Sequence, residues 1–219
     1  MTTQRLIGAS NSYCSSILRT PSNIGCVTQS CSCFILAGGK STRFGTNKSL
    51  ALVGDQYMAL VVANNLRSAF GGTAQLIGAD EHTCSALGLE TVIGTREGNG
   101  PLAAIIDAME STTSTFQAFA PNDTPFFTAH NYAALLAKLK DSKADVVVAT
   151  DTADASRAHW LLSVWRKSSC MPTLTKEFER GMRSVHGAVT DLQVARVAFD
   201  AAAVRNINTV SDLFDRGTI

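Results

Sequence analysis

Three cations crowd one short stretch of the chain. Lys40, Arg43 and Lys48 fall within nine positions of the segment "LAGGKSTRFGTNKSL", just after the paired glycines Gly38 and Gly39. Glycine reaches backbone conformations closed to other residues, so main-chain N–H groups can approach an anion closely. Cations at that spacing can neutralise several phosphate oxygens at once. The chemistry expected here is the binding of a triphosphate. Two common phosphate loops are absent. The only Gly-Lys-Ser, at Gly39 to Ser41, has Phe34 where a Walker loop requires its first glycine, and no GxGxxG fingerprint occurs.

A second charged candidate is Asp123, in "APNDTPFF", directly after the apolar run "FQAFA" and inside a proline-containing turn. A carboxylate there can hold Mg²⁺, which takes oxygen ligands and bridges phosphate oxygens; it can equally order its own turn or cap the next helix. Further on, Gly100 and Pro101 in "GNGPLAAI" give a bend and then a proline in the first turn of a helix, whose N–H groups can face an anion. Asn206 and Asn208 flank Ile207, so both amides can share one face or order a turn. Arg183, in "FERGMRSV", is a candidate phosphate anchor or a solvated surface cation.

These residues need a scaffold that gathers loops. Short apolar runs recur at residues 33–36, 74–78, 89–94, 116–120 and 144–150. Helical periodicity separates them over Tyr57 to Phe70, Pro101 to Met109 and Asn131 to Leu139. Strands alternating with helices predict an α/β fold: one doubly wound, mostly parallel sheet with helices on both faces. Ligands in such sheets bind beyond the carboxyl ends of the strands, where the strand order reverses. The candidate residues follow strands, as that rule requires.

Bulk properties narrow the function. At 219 residues the chain can bury a full core, and 45% hydrophobic with 17% charged residues describes an ordinary globular protein. A net charge of +1 argues against a nucleic-acid partner, and no apolar run approaches the roughly 20 residues of a membrane span. The six cysteines, Cys14, Cys26, Cys31, Cys33, Cys84 and Cys170, form no CxxC pair, which favours a reducing, cytoplasmic setting. Residues 1–30 are rich in Ser, Thr and Asn and contain no acidic residue. They are expected to be an N-terminal extension outside a single domain spanning 31–219.

Four motifs carry a family resemblance, in order. "LAGGKSTRFGTNKSL" resembles the LAGGxSxRMGxxDK signature of the molybdenum-cofactor guanylyltransferase family, the MobA-like nucleotidyltransferases. "GNGPLAAI", "APNDTPFF" and "RNINTVSDL" resemble that family's GPLAGI, PCDTPFL and NxNTPEDL segments, so the likeness covers residues 31 to about 217. It implies a Rossmann-like nucleotidyltransferase fold and transfer of GMP from GTP to molybdopterin, with Mg²⁺ as cofactor. Leu36, Ala37, Gly38, Gly39, Lys48, Gly100, Pro101 and Asp123 would bind the nucleotide. Arg43, Lys48 and Asp123 would be catalytic, with Asp123 on the metal; Arg183, Asn206 and Asn208 would face the pterin. Transient contacts with other molybdenum-cofactor proteins are implied as well.

The chain also departs from the pattern. Asn47 replaces an Asp before the motif lysine, Gly78 stands where an Asn often ends the second strand, Thr95 lies near a usual Asp, and His159-Trp160 replaces a His-Pro pair. His159 is read as a structural or surface residue rather than a catalyst. The losses weaken base selection more than phosphate binding, because the cations remain. Two alternatives stay open: a nucleotidyltransferase of the same fold with another nucleotide or acceptor, such as a cytidylyltransferase, or a nucleotide-binding homologue without turnover.

Overall fold

The computed structural model describes residues 30–38, 47–209 and 211–213. Gly39, Lys40, Arg43 and nearly all of the expected N-terminal extension lie outside the described residues.

Strand β1 (Cys31–Leu36) runs through the middle of a seven-stranded sheet. It is buried on both faces, which is why its sequence is a continuous apolar run rather than an alternation. Cys33 and Ile35 point into one core with Val62, Leu66 and Leu135; Phe34 and Leu36 point into the other with Leu102, Ile105 and Leu174. A small hairpin follows, β2 (Leu52–Val53) with β3 (Gln56–Tyr57), leading into α1 (Met58–Phe70). Then come β4 (Ala74–Ile77), α2 (Glu81–Leu87), β5 (Thr91–Val92), α3 (Gly100–Glu110) and β6 (Phe116–Pro121). The C-terminal half adds α4 (Ala129–Lys140), β7 (Val146–Asp151), β8 (Ala158–Arg166), α5 (Lys167–Glu179), α6 (Val185–Ala188) and β9 (Val194–Phe199).

The sheet order is β5-β4-β1-β6-β8-β7-β9. Strands β4 and β5 lie to one side of β1 and all later strands to the other, so the order reverses between β1 and β6. Helices α1 and α4 cover one face; α3, α5 and α6 cover the other. The expected doubly wound α/β fold is the one observed. The three expected helices appear within two residues of their expected ends.

Strand β8 alone runs antiparallel to both its neighbours, β6 and β7. Its start therefore lies at the same edge as the carboxyl ends of the parallel strands. There β8 also carries an irregularity: Val148 of β7 pairs with Ser163, yet Ala149 pairs with His159, so residues 160–162 have no partner on β7. Among the described residues no helix is long and apolar enough to cross a membrane.

Candidate active site

The reversal between β1 and β6 is where the charged residues converge. The Asn122 N–H donates to the Leu36 carbonyl at 3.1 Å, extending the ladder by one step and placing Asp123 just past the carboxyl end of β6. Lys48 arrives from a short 3₁₀ turn, Lys48–Leu50, after the loop that follows β1. Its Nζ donates to Asp123 Oδ2 at 2.6 Å and to Asn208 Oδ1 at 3.2 Å. Sequence-distant groups thus form one cluster: the loop lysine, the turn carboxylate and an amide from the C-terminal segment.

Each member is held from behind. Asn47 accepts from the Ser49 N–H at 3.0 Å, capping the turn that carries Lys48, while its Nδ2 donates to Thr83 on α2. The second of these bonds ties the turn that carries Lys48 to α2. Asn122 Nδ2 donates to Ser49 Oγ at 2.7 Å, and the Asp123 carbonyl accepts from the Ile207 N–H at 2.8 Å. Ile207 is fully buried beside Met58, as the spacing of Asn206 and Asn208 implies. The N–H groups of Asn208 and Thr209 donate to Asp212 at 2.6 and 2.8 Å, and these bonds hold its carboxyl below the usual pKa.

Beside this cluster opens a cleft of about 1230 Å³. A pocket for one small ligand usually holds roughly 300–1,000 Å³, so this cleft is larger than one small ligand requires. Leu36, Gly38, Gly100, Pro101, Asp123 and Asn206 contribute to its wall. Of the other described loop candidates, neither Ala37 nor Lys48 is in its lining: the Ala37 N–H donates to the Ile77 carbonyl at 2.9 Å, and Lys48 is bound to Asp123. Gly100 has φ +85°, a conformation that favours glycine, and Pro101 follows in the first turn of α3.

One end of the cleft lies over β4 and β5. Here Gly78, at φ +74°, touches the backbone of Gly38; a Cβ at Gly78 would stand 3.1 Å from Gly38 Cα. The turn after β5 is clamped by Asp107, a buried carboxylate from α3 that the sequence reading did not single out. Asp107 accepts from the Arg96 N–H at 3.1 Å and from its guanidinium at 2.6 Å, with Thr95 Oγ1 at 3.4 Å. Its carboxylate also fills the space a side chain at Gly94 would need. Arg96 further pairs with Glu110 at 2.7 and 2.9 Å, and bonding to Glu110 and then Asp107 raises its pKa against the effect of burial. The signal for Asp107 was a lone acid inside the apolar helix "PLAAIIDAM". Ile93, 93% exposed, leaves an apolar surface open in this wall.

The other end lies over β8, where His159, Trp160 and Leu161 enter the wall. Burial lowers the His159 pKa, and the Arg157 charge adds to the lowering, so the imidazole is neutral near pH 7. Arg183 is engaged locally. Its Nη1 donates to the Phe178 and Met182 carbonyls at 2.9 Å each, and its guanidinium lies 4.2 Å over the Phe178 ring.

Asp123 Oδ1 is buried and has no hydrogen-bond partner among the described residues. With Oδ2 on Lys48, one carboxylate oxygen is left without a partner among the described residues. The described residues contain no group of three or more His, Cys, Asp or Glu able to hold a metal. That donor set fits Mg²⁺, which binds through one or two carboxylates, waters and substrate phosphates rather than an all-protein cage.

Comparison with known proteins agrees with this geometry. The model of the MobA-like NTP transferase domain matches residues 33–193. A molybdenum cofactor guanylyltransferase of Rhizobium meliloti is 36% identical over 137 residues, 60% of this chain and 61% of that protein. One of Cupriavidus necator is 28% identical over 82% of this chain and 92% of that protein. The crystal structure of molybdopterin-guanine dinucleotide biosynthesis protein A from Archaeoglobus fulgidus shares the fold, with a TM-score of 0.68 at 20% identity, covering 84% of this chain and 95% of that one.

Proposed function

Because the chain belongs to the MobA-like NTP transferase domain family, we propose that it transfers GMP from GTP to molybdopterin, with release of pyrophosphate. An oxygen of the molybdopterin phosphate attacks the α-phosphorus of GTP. The new P–O bond forms as the bond to the β-phosphate bridge breaks, and pyrophosphate leaves with the electron pair. The product is molybdopterin guanine dinucleotide. No protein nucleophile is needed, so the protein contributes positioning and charge stabilisation.

The observation that carries this reading is the Lys48–Asp123 cluster beside a cleft larger than one small ligand requires. Lys48 meets the triphosphate, with Arg43 as the second cation of the loop. The N–H group at Gly38, the start of α3 at Gly100 and Pro101, and the wall at Leu36 with Ala37 beside it hold the nucleotide. Asp123 holds Mg²⁺, which when bound supplies charge neutralisation at the phosphates. Asn206 and Asn208 face the acceptor. Arg183 joins them as an anchor for the pterin phosphate only after leaving the Phe178 ring. A cytoplasmic setting is supported by the free thiols of Cys31, Cys33, Cys84 and Cys170.

A second reading, the same transfer with another nucleotide, draws on Gly78 and Thr95. Gly78 has no side chain to read a base, and Thr95 hydrogen-bonds to Asp107. Thermal unfolding with Mg²⁺ and each of GTP, CTP, ATP and UTP separates the two. A ligand at about 100 times its Kd adds roughly 2.7 kcal/mol of stability. Selective stabilisation by GTP, followed by dinucleotide formation with molybdopterin, is the expected result. Selective stabilisation by CTP would replace the guanylyl assignment, and stabilisation by none would indicate a homologue without turnover.

A further inference from the structure

We propose that Trp160 is the stacking surface for the flat ring of the acceptor, presented by the irregularity in β8; this rests on the reading above of a pterin phosphate as acceptor. The product of the transfer carries two flat heteroaromatic portions, the guanine and the aminopyrimidinone of the pterin, joined through a pyrophosphate. The phosphates belong at Lys48 and Asp123, at the reversal between β1 and β6. One ring must then lie over β4 and β5, the side of Gly38, Gly78 and the Asp107-clamped turn. The second ring falls on the opposite side of Asp123, over β8.

What β8 offers there is an indole. Since β8 is antiparallel, its first residues lie at the edge where Asp123 projects. Its residues 160–162 leave the pairing with β7, and Trp160 and Leu161 enter the cleft wall. An inserted bulge is a recurrent way of re-aiming a side chain beside an active site. This one is pinned: Ser163 Oγ donates to the Trp160 carbonyl at 2.8 Å and accepts from Trp165 Nε1 at 2.7 Å. The two tryptophans differ accordingly. Trp165 is wholly buried, whereas Trp160 is half-buried in the wall of the cleft.

The indole is also braced. The His186 ring on α6 lies 5.4 Å from it, centroid to centroid, tilted by 45°. A braced aromatic face loses little freedom when a second ring stacks on it, and indole is a favourable partner for flat heteroaromatics. A proline, the resemblance's residue at this position, offers no such surface.

The test compares Trp160→Phe with Trp160→Leu, which keeps apolar volume but has no π face. Molybdopterin KM, kcat and the GTP Kd are measured with Mg²⁺, and 6-hydroxymethylpterin, which has no phosphate, is titrated calorimetrically. The Leu variant should raise the molybdopterin KM and weaken pterin binding about tenfold, with kcat and GTP Kd within about twofold; Phe should restore most of the loss. Unchanged KM and pterin affinity in the Leu variant would overturn the assignment of Trp160 while leaving the guanylyl reaction intact. A fall in GTP affinity instead would place the guanine on Trp160 and equally overturn it. If the wild type bound GTP yet neither bound pterin nor used molybdopterin, the acceptor reading would fail and the stacking role with it.

Discussion

Lys48 and Asp123, 75 residues apart in the chain, meet at 2.6 Å across the reversal of the sheet, each side chain about 15% exposed. The pair is a ready-made charge site. On the proposed function, Lys48 would turn from carboxylate to phosphate when a triphosphate enters, and the carboxylate would keep an oxygen for a metal.

Asp123→Ala should abolish metal-dependent turnover, by at least about a hundredfold, because a charge-stabilising group at the reacting phosphate is gone. The fold should survive, since Asp123 is tied to Ile207 through its backbone rather than its side chain. Circular dichroism and a Mg²⁺ titration of activity check this. Wild-type activity in the variant would refute the metal assignment.

Lys48→Ala should act on binding first. A hydrogen bond to a charged partner contributes about 1.5–3 kcal/mol, so the GTP Kd should rise roughly 10- to 100-fold. An unchanged Kd would move the triphosphate site elsewhere.

Gly78→Ala combines two penalties, a left-handed backbone and a Cβ against Gly38. The backbone term alone is about 1–2 kcal/mol, lowering Tm by roughly 2–8 °C. Gly88→Ala is the control: its φ is +60°, but a Cβ there meets nothing within 4 Å. Both should lower Tm, and only Gly78→Ala should also weaken GTP. Equal nucleotide affinity in the two variants would separate the Gly38–Gly78 contact from binding.

Asp107→Asn removes the charge that clamps Arg96 and the turn after β5. Stability should fall by about 1–3 kcal/mol. The KM for GTP should rise several-fold while kcat holds within about twofold, because the turn borders the nucleotide and not the transferred phosphate. A fall in kcat with constant KM would show that Asp107 acts on the chemical step.

Much of this was legible in the chain. Buried parallel strands announce themselves as apolar runs, so β1, β4, β5, β6 and β7 were expected where they occur, and Lys48 and Asp123 were singled out from their types and places. Other features leave no periodic trace. Apolar spacing does not encode strand direction, so the reversed course of β8 was hidden. Its unpaired residues 160–162 break the alternation that marks a strand, and α5 carries Pro172 in its interior, an ordinary sign against a helix. Arg183 illustrates local competition: two neighbouring carbonyls and the Phe178 ring occupy a guanidinium that the sequence left as either a phosphate anchor or a solvated surface cation.

The backward strand has one more consequence. On the proposed function, groups on the nucleotide side come from residues 36–107, and those assigned to the acceptor come from 159–208; only the turn at Asp123 belongs to both. Reshaping the start of β8 would then alter which second molecule fits without disturbing the first. A scaffold divided in this way would exchange acceptors by changing one strand end, and keep its nucleotide.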